Sequence, residues 1–307
     1  MTDTSGTAAP APGASKLRWL VVAIPYLWLV VFFLVPFLIV LKISFSTYAI
    51  AQPPYEPVFD QLSTVWERAQ QFTLDSYRYL TEDPIYLRSY LSSLRIAAIS
   101  TVLLLLIGFP IAYGMARAPS NMRTTLLMLV ILPFWTSFLI RVYAWIGILK
   151  PEGLLTVFLQ WIGIFGPDQQ VHLLNTDWAV FIGIVYSYLP FMILPLYATL
   201  EKLDDTLLEA AADLGARPFK SFWVITVPLS MPGVIAGSFL CFIPIVGEFV
   251  IPDLLGGSDT LMIGRQLWNE FNANRDWPTS SAVAVVLLLI LVVPIMIFQN
   301  YGRRTAQ

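Results

Sequence analysis

Cysteine and histidine are almost missing from this chain: Cys241 and His172 are the sole examples in 307 residues. One cysteine excludes an internal disulfide and a thiolate metal cluster. One histidine excludes the paired-histidine zinc sites of membrane proteases. Charge is scarce too. Asp, Glu, Lys and Arg make up 12% of the residues, about half the share of a soluble domain. The net charge is −2 with no basic stripe, which argues against a nucleic-acid partner. With so few polar groups and no clustered buried acids, no catalytic set can be assembled, and an enzyme is the weakest of the function classes.

What fills the chain instead is apolar: 57% of residues are hydrophobic and the mean hydropathy is +0.70. Its natural solvent is lipid. Spanning a hydrocarbon core of about 30 Å takes about 20 apolar residues as helix, and six stretches qualify: 19–41, 91–116, 126–149, 178–200, 231–252 and 281–298. An all-α, polytopic membrane protein with six transmembrane helices is expected. Residues 1–18 read as a disordered cytoplasmic tail and 301–307 as a second tail, around a permease-sized domain over 19–300. An even count of spans puts both termini on one side. The flanks assigned to the cytoplasm hold nine basic residues in short segments, among them Lys16, Arg18, Arg117, Arg123, Arg217 and Arg304; the opposite loops hold seven, spread over much longer segments. The positive-inside rule then places both termini in the cytoplasm. The outer loop over 42–90 carries FTLDSYRYLTEDPIYLRSYLSSL, whose near-helical spacing of aromatics and charges suggests interfacial helices. Pro36, Pro110, Pro133, Pro190, Pro195, Pro232, Pro244 and Pro252 fall within the spans. Each frees a backbone carbonyl, so kinked helices around a cavity and bends that improve packing are both open.

One polar stretch interrupts the oily runs: EAAADLGARPFKSFWVITVP, 209–228. Leu203, Leu207, Ala211 and Leu214 recur at helical spacing as one apolar stripe, with Asp204, Asp205, Glu209 and Asp213 on other faces. Gly215 is placed for a left-handed C-cap, and Pro218 for the first turn of a second helix that Pro228 closes. Anionic headgroups would repel so acidic an element. A partner protein suits it better than the membrane surface.

These residues resemble a known motif. Glu209-Ala210-Ala211, then Gly215 with three residues between, then Ile225-x-Val227-Pro228 after a nine-residue gap is similar to the EAA loop of ABC-importer permeases, with Val227 where the family has Leu. LPFWTSFLIRVYAWIGILK (132–150), SYLPFMILPLY (187–197), GEFVIPDLLGG (247–257) and MIGRQLWNEFNANRDWP (262–278) resemble the polyamine branch, the putrescine and spermidine/putrescine permeases. The resemblance implies a type I ABC-importer permease fold, multi-pass in a bacterial inner membrane, with 201–230 as the coupling element and Glu209, Ala210, Ala211, Asp213 and Gly215 as its contacts to an ATPase. It further implies a heterodimer with a second permease, two cytoplasmic ATPase subunits, a periplasmic polyamine-binding protein and surrounding lipid. No cofactor is expected on this chain. GARPFKS (215–221) lacks the second glycine of a phosphate-binding loop, so ATP and Mg belong to the partner ATPase. A permease for another small cationic solute, or a secondary transporter, is the alternative.

A diamine with a charge at each end needs carboxylates or aromatic faces to replace its hydration. Glu248 is the foremost candidate, either meeting a substrate ammonium or forming a structural ion pair with Arg141. Trp135, Tyr143, Trp145, Tyr186 and Tyr188 can offer cation–π faces or simple packing. Asp253 and Asp177 can concentrate cations or touch the binding protein, and Asp177 can equally be a helix N-cap. Arg95 is expected to snorkel.

Overall fold

A long apolar run in lipid has one low-energy answer, a helix that satisfies every backbone polar group internally. The computed structural model describes residues 14–58, 70–166 and 169–305, and its helices follow the apolar runs. Helices α1 (Ala14–Leu29) and α2 (Val35–Ser44) are joined by a π turn at Val30–Leu34. A two-stranded antiparallel ribbon follows, β1 (Thr47–Tyr48) with β2 (Tyr55–Glu56), Thr47 opposite Glu56. Then come α3 (Asp75–Glu82), α4 (Pro84–Arg117), α5 (Ser120–Ile131), a 3₁₀ turn at Leu132–Trp135, α6 (Phe138–Leu149) and α7 (Leu154–Trp161). The chain continues through α8 (Asp177–Leu200), α9 (Thr206–Asp213), α10 (Pro218–Ser221), a π turn at Phe222–Thr226 and α11 (Val227–Val246). It ends with α12 (Val250–Leu255), α13 (Ile263–Asn272) and α14 (Trp277–Thr305). The fold is helical as expected, apart from the small ribbon.

Among the described residues, four helical runs are long and apolar enough to cross a membrane: Val21–Ser44, Pro84–Arg117, Asp177–Leu200 and Pro218–Val246. The span expected at 126–149 is not straight. It breaks into Ser120–Trp135 and Phe138–Leu149, bent by 87°, where Pro133 and the extended backbone at Thr136 and Ser137 interrupt the ladder. The sixth stretch lies in α14, whose Trp277–Val292 part is apolar. The tail drawn over 1–18 is shortened by the structure, since α1 begins at Ala14, and residues 1–13 lie outside the described residues. In the other tail α14 runs to Thr305. The loop over 42–90 does contain helix, α3 and the first turns of α4. Asp83 caps α4 by accepting from the Ile85 N–H at 2.9 Å.

The prolines are absorbed in more than one way. Pro36 and Pro228 each sit just beyond a π turn, closed by the Val35 N–H on the Val30 carbonyl and the Val227 N–H on the Phe222 carbonyl. The wide turn interrupts the α ladder where the ring's missing donor falls. Pro228 therefore does not end the second short helix, contrary to the sequence expectation: helix continues from Pro218 to Val246. Pro110, Pro190, Pro195, Pro232 and Pro244 lie inside helices. The span expected to reach 252 stops at Val246, and Pro252 belongs to α12.

Close contacts divide the chain into two compact units, Met1–Tyr79 with Arg275–Leu288, and Leu80–Asn274 with Leu289–Gln307. In the first, the Ser44 and Tyr77 hydroxyls share a hydrogen bond of 2.7 Å, and the Thr73 N–H donates to the Phe45 carbonyl at 2.9 Å. The apolar run of Val21–Ser44 is exposed along most of its length, as a lipid-facing helix is, and only Ile43 and Ser44 at its end are buried. The second unit is centred on α4, α8 and α11, which pack on one another. Their junction is Met192. A Cβ at Gly237 would lie 2.9 Å from its sulfur, and one at Gly108 3.0 Å from its Cγ. Only residues without side chains let three helices approach this closely. Ile96, Leu104, Ile184, Leu196 and Ile245 are fully buried around them.

Candidate functional site

The polar interruption folds as two short helices about Gly215. Asp204 opens α9 by accepting from the Thr206 N–H at 3.0 Å, and that bond holds its carboxyl below the ordinary Asp range. At the far end Gly215 adopts φ +79°. The Gly215 N–H donates to the Ala212 carbonyl (2.8 Å) and the Ala216 N–H to the Ala211 carbonyl (2.9 Å), the paired bonds of a Schellman cap. The left-handed cap predicted at Gly215 is thus present, and Pro218 opens α10. The stripe of α9 is rotated from expectation. Leu207 and Leu214 are exposed, while Leu208, Ala212 and Ala216 line a 240 Å³ cavity with Tyr113 and Phe222. The helix is short and α8 ends at Leu200, so Leu203 falls in a turn and cannot extend the stripe. Glu209, Ala210 and Asp213 are exposed and Ala211 is half-buried. Together with Leu214 (89% exposed) and Phe219 (76%), they form an uncovered apolar surface edged by carboxylates.

Glu248 sits where α11 stops. The helix ends at Val246, and the Glu248 carboxylate reaches forward to start α12: its Oε1 accepts from the N–H groups of Val250 (3.0 Å) and Ile251 (3.4 Å). Its Oε2 accepts from the Tyr188 hydroxyl at 2.6 Å. The group is buried, and three neutral donors hold it. Arg141 is not its partner in this conformation. That guanidinium lies over the rings of Phe134 and Phe138, 5.5 and 5.8 Å away, with Nε and Nη1 buried and no hydrogen-bond acceptor. The first turn of α12 supplies, at Val250 and Ile251, N–H groups that take the place of a cation.

The aromatic candidates separate. Tyr188 meets Glu248, and Trp145 packs edge-on against Tyr186 with centroids 5.4 Å apart. Trp135 and Tyr143 are exposed and join neither pair. Tyr186 also borders a 280 Å³ cavity with Pro133, Pro190, Ile111, Met115 and Ile193, whose lining carries no carboxylate. The outlying carboxylates already hold cations. Asp177 pairs with Arg95 at 2.9 Å and accepts from the Thr260 hydroxyl at 2.7 Å. Asp253 accepts from Arg265 Nε at 3.2 Å. Asp177 does not cap α8; Thr176 does, accepting from the Ala179 N–H. Arg95, expected to snorkel, keeps its side chain exposed and ends in the ion pair with Asp177.

One buried carboxylate escaped the sequence pattern. Glu270 of α13 accepts from Tyr86 (2.8 Å), Gln266 (3.0 Å) and Asn274 (2.8 Å). Gln266 and Glu270 stand four apart on one face of α13, a spacing that signals mutual hydrogen bonding once the helix is known, and Asn274 reaches back from just past its end.

Long apolar helices with an acidic capped bend fit a membrane transport component. Residues 15–305 match the family of binding-protein-dependent transport system inner membrane components, and the chain belongs to that family. It is a multi-pass inner-membrane permease of the ABC importers. Among relatives, it is 40% identical over 289 residues to the spermidine/putrescine transport system permease protein PotB of Haemophilus influenzae, covering 94% of this chain and 95% of the relative. The protein of the same name from Escherichia coli is 40% identical over 276 residues, 90% and 94% of the two chains. The fold is shared with a chain of a bacterial alginate ABC transporter crystallised with its periplasmic protein, at TM-score 0.70 and 17% identity over 96% and 98% of the chains.

Proposed function

We propose that this chain is one membrane half of an ATP-driven importer of polyamines, putrescine or spermidine, working by alternating access. The observation that carries this proposal is the 40% identity, over 94% of the chain, to a permease named for spermidine and putrescine. In this proposal six spans leave both termini in the cytoplasm, and a second permease completes a heterodimer. Two ATPase subunits bind ATP and Mg and hydrolyse ATP; this chain has no catalytic site and no cofactor. A periplasmic binding protein delivers the amine. The exposed surface around Glu209, Ala210, Ala211, Asp213 and Gly215 seats in an ATPase subunit and follows its closure.

Glu248 and Tyr188 are the leading candidates for the amine pathway. Their hydrogen bond places a buried negative charge beside an aromatic ring, the pairing that recognises an ammonium group. Trp135, Tyr143, Trp145 and Tyr186 are secondary candidates. Asp177 and Asp253, already paired with arginines, fit an outer electrostatic role. Reconstitution of the complete complex in proteoliposomes tests the proposal. ATP hydrolysis and uptake are followed with a panel of amines: putrescine, spermidine, cadaverine and a monoamine. Stimulation by the polyamines with ATP-dependent uptake is expected. Uptake driven by an ion gradient without ATP would replace this scheme with a secondary transporter, and a preference outside the polyamines would assign another cationic solute.

A further inference from the structure

Toward its C-terminus α4 presents Phe109, Tyr113 and Arg117 four residues apart, hence along one face. This helix is far in sequence from the Gly215 bend, yet both flanks of the bend meet that face. Before α9, Asp205 forms an ion pair with Arg117. Beyond α10, the Phe222 ring stands edge-on to Phe109 (5.5 Å, 83°) and Tyr113 (6.0 Å, 90°). The Arg117 guanidinium lies over the Tyr113 ring at 5.5 Å, and its Nε and Nη2 are buried without acceptors, so Asp205 anchors it. Between the two attachments lies the 240 Å³ cavity behind Leu208, Ala212 and Ala216. The bend is gripped at both ends and unsupported in the middle.

Phe222 is also the first residue of the π turn that leads into α11. Such turns are rare and often lie at functional sites. Phe109, its partner, directly follows Gly108, the residue that seats α4 against Met192. One peptide therefore links the bend to the junction of α4, α8 and α11. We infer that Phe109, Tyr113 and Arg117 are positioning residues that carry the displacement of the 206–221 element into α4, with Phe222 and Asp205 as the two points of grip. The covalent neighbours of the bend, α8 and α11, are then not the sole recipients of its motion.

This inference rests on the proposal that the bend seats in an ATPase, and the test separates the two. The full complex is assembled with Phe222→Ala, Phe222→Tyr, Arg117→Asp, Asp205→Arg and the Arg117→Asp/Asp205→Arg double variant. ATPase co-purification, ATP hydrolysis and amine uptake per ATP hydrolysed are measured. Phe222→Ala and each single charge reversal are expected to retain the ATPase and hydrolysis but to lose about five- to hundredfold in uptake per ATP, the usual range of intersite coupling. Phe222→Tyr keeps the ring and recovers most of the ratio, as does the double variant by restoring the ion pair. A purely structural role would lower the amount of complex and leave the ratio unchanged. The inference is overturned if the ratio is unchanged in Phe222→Ala and Arg117→Asp. It is equally overturned if the double variant behaves like the worse single, or if Phe222→Ala releases the ATPase. Absence of ATP-driven uptake by the unmodified complex would instead count against the proposed function.

Discussion

Replacing Gly215 tests the bend through backbone energetics alone. The residue holds φ +79°, and a Cβ built there would meet nothing within 4 Å. No clash contributes, so any effect of a small side chain arises from the left-handed conformation itself. For an L-residue that conformation costs about 1–2 kcal/mol. With nothing packed against the new methyl, the undocked Gly215→Ala loop relaxes into another backbone that docking has to reverse. Up to about 1–2 kcal/mol is thereby subtracted from ATPase binding, a factor of roughly 5–30. The assay is titration of purified ATPase into reconstituted permease, reading the concentration for half-maximal stimulation of hydrolysis. The expected order is Gly, then Asn close behind because it tolerates this conformation, then Ala shifted by that factor, then Val further still. Equal half-points for Gly, Ala and Val would refute the reasoning. So would an Asn variant as poor as Val, since that would mean side-chain size rather than backbone conformation governs the site.

Three further outcomes follow from the packing. Gly237→Leu forces a side chain into Met192, overpacking the helix junction by about 1–3 kcal/mol; the thermal midpoint in detergent should fall and Met192→Ala should restore part of it. Tyr188→Phe removes the 2.6 Å donor from the buried Glu248 carboxylate, at a cost of about 1.5–3 kcal/mol. Stability and uptake should both drop, and an unaltered midpoint would show that the hydroxyl is not held there. Arg95→Ala breaks a pair whose arginine is 61% exposed, so a loss of no more than about 1 kcal/mol is expected. Uptake should stay near normal, and a tenfold fall would move Asp177 into the amine pathway.

The main spans were legible because twenty apolar residues in lipid leave the backbone little choice, and the Gly215 cap because a left-handed turn strongly favours that residue. Bends were not legible. The run over 126–149 stays apolar straight through the Leu132–Trp135 turn, so hydropathy is blind to an 87° change of direction. Pro228 misled for the opposite reason: a proline normally closes a short helix, but the π turn before it lets the helix proceed. At Glu248 the sequence showed a costly charge and suggested a cation beside it, either a substrate ammonium or Arg141. The structure satisfies it with backbone N–H groups of the following turn, which no residue-type pattern reveals. Glu270 was hidden by lying in a polar segment, where a carboxylate attracts no notice.

Cys241 is fully enclosed, its sulfur 3.7 Å from the Tyr188 carbonyl oxygen in the heart of the helix bundle. Water-soluble thiol reagents have no route to it while the bundle is intact. The natural protein therefore already serves as a silent background for labelling, with no need to strip out native thiols first. Single cysteines introduced at 135, 143 or 219 would be the sole reactive positions. Their modification rates with and without nucleotide would then trace, residue by residue, which surfaces open to which side of the bilayer.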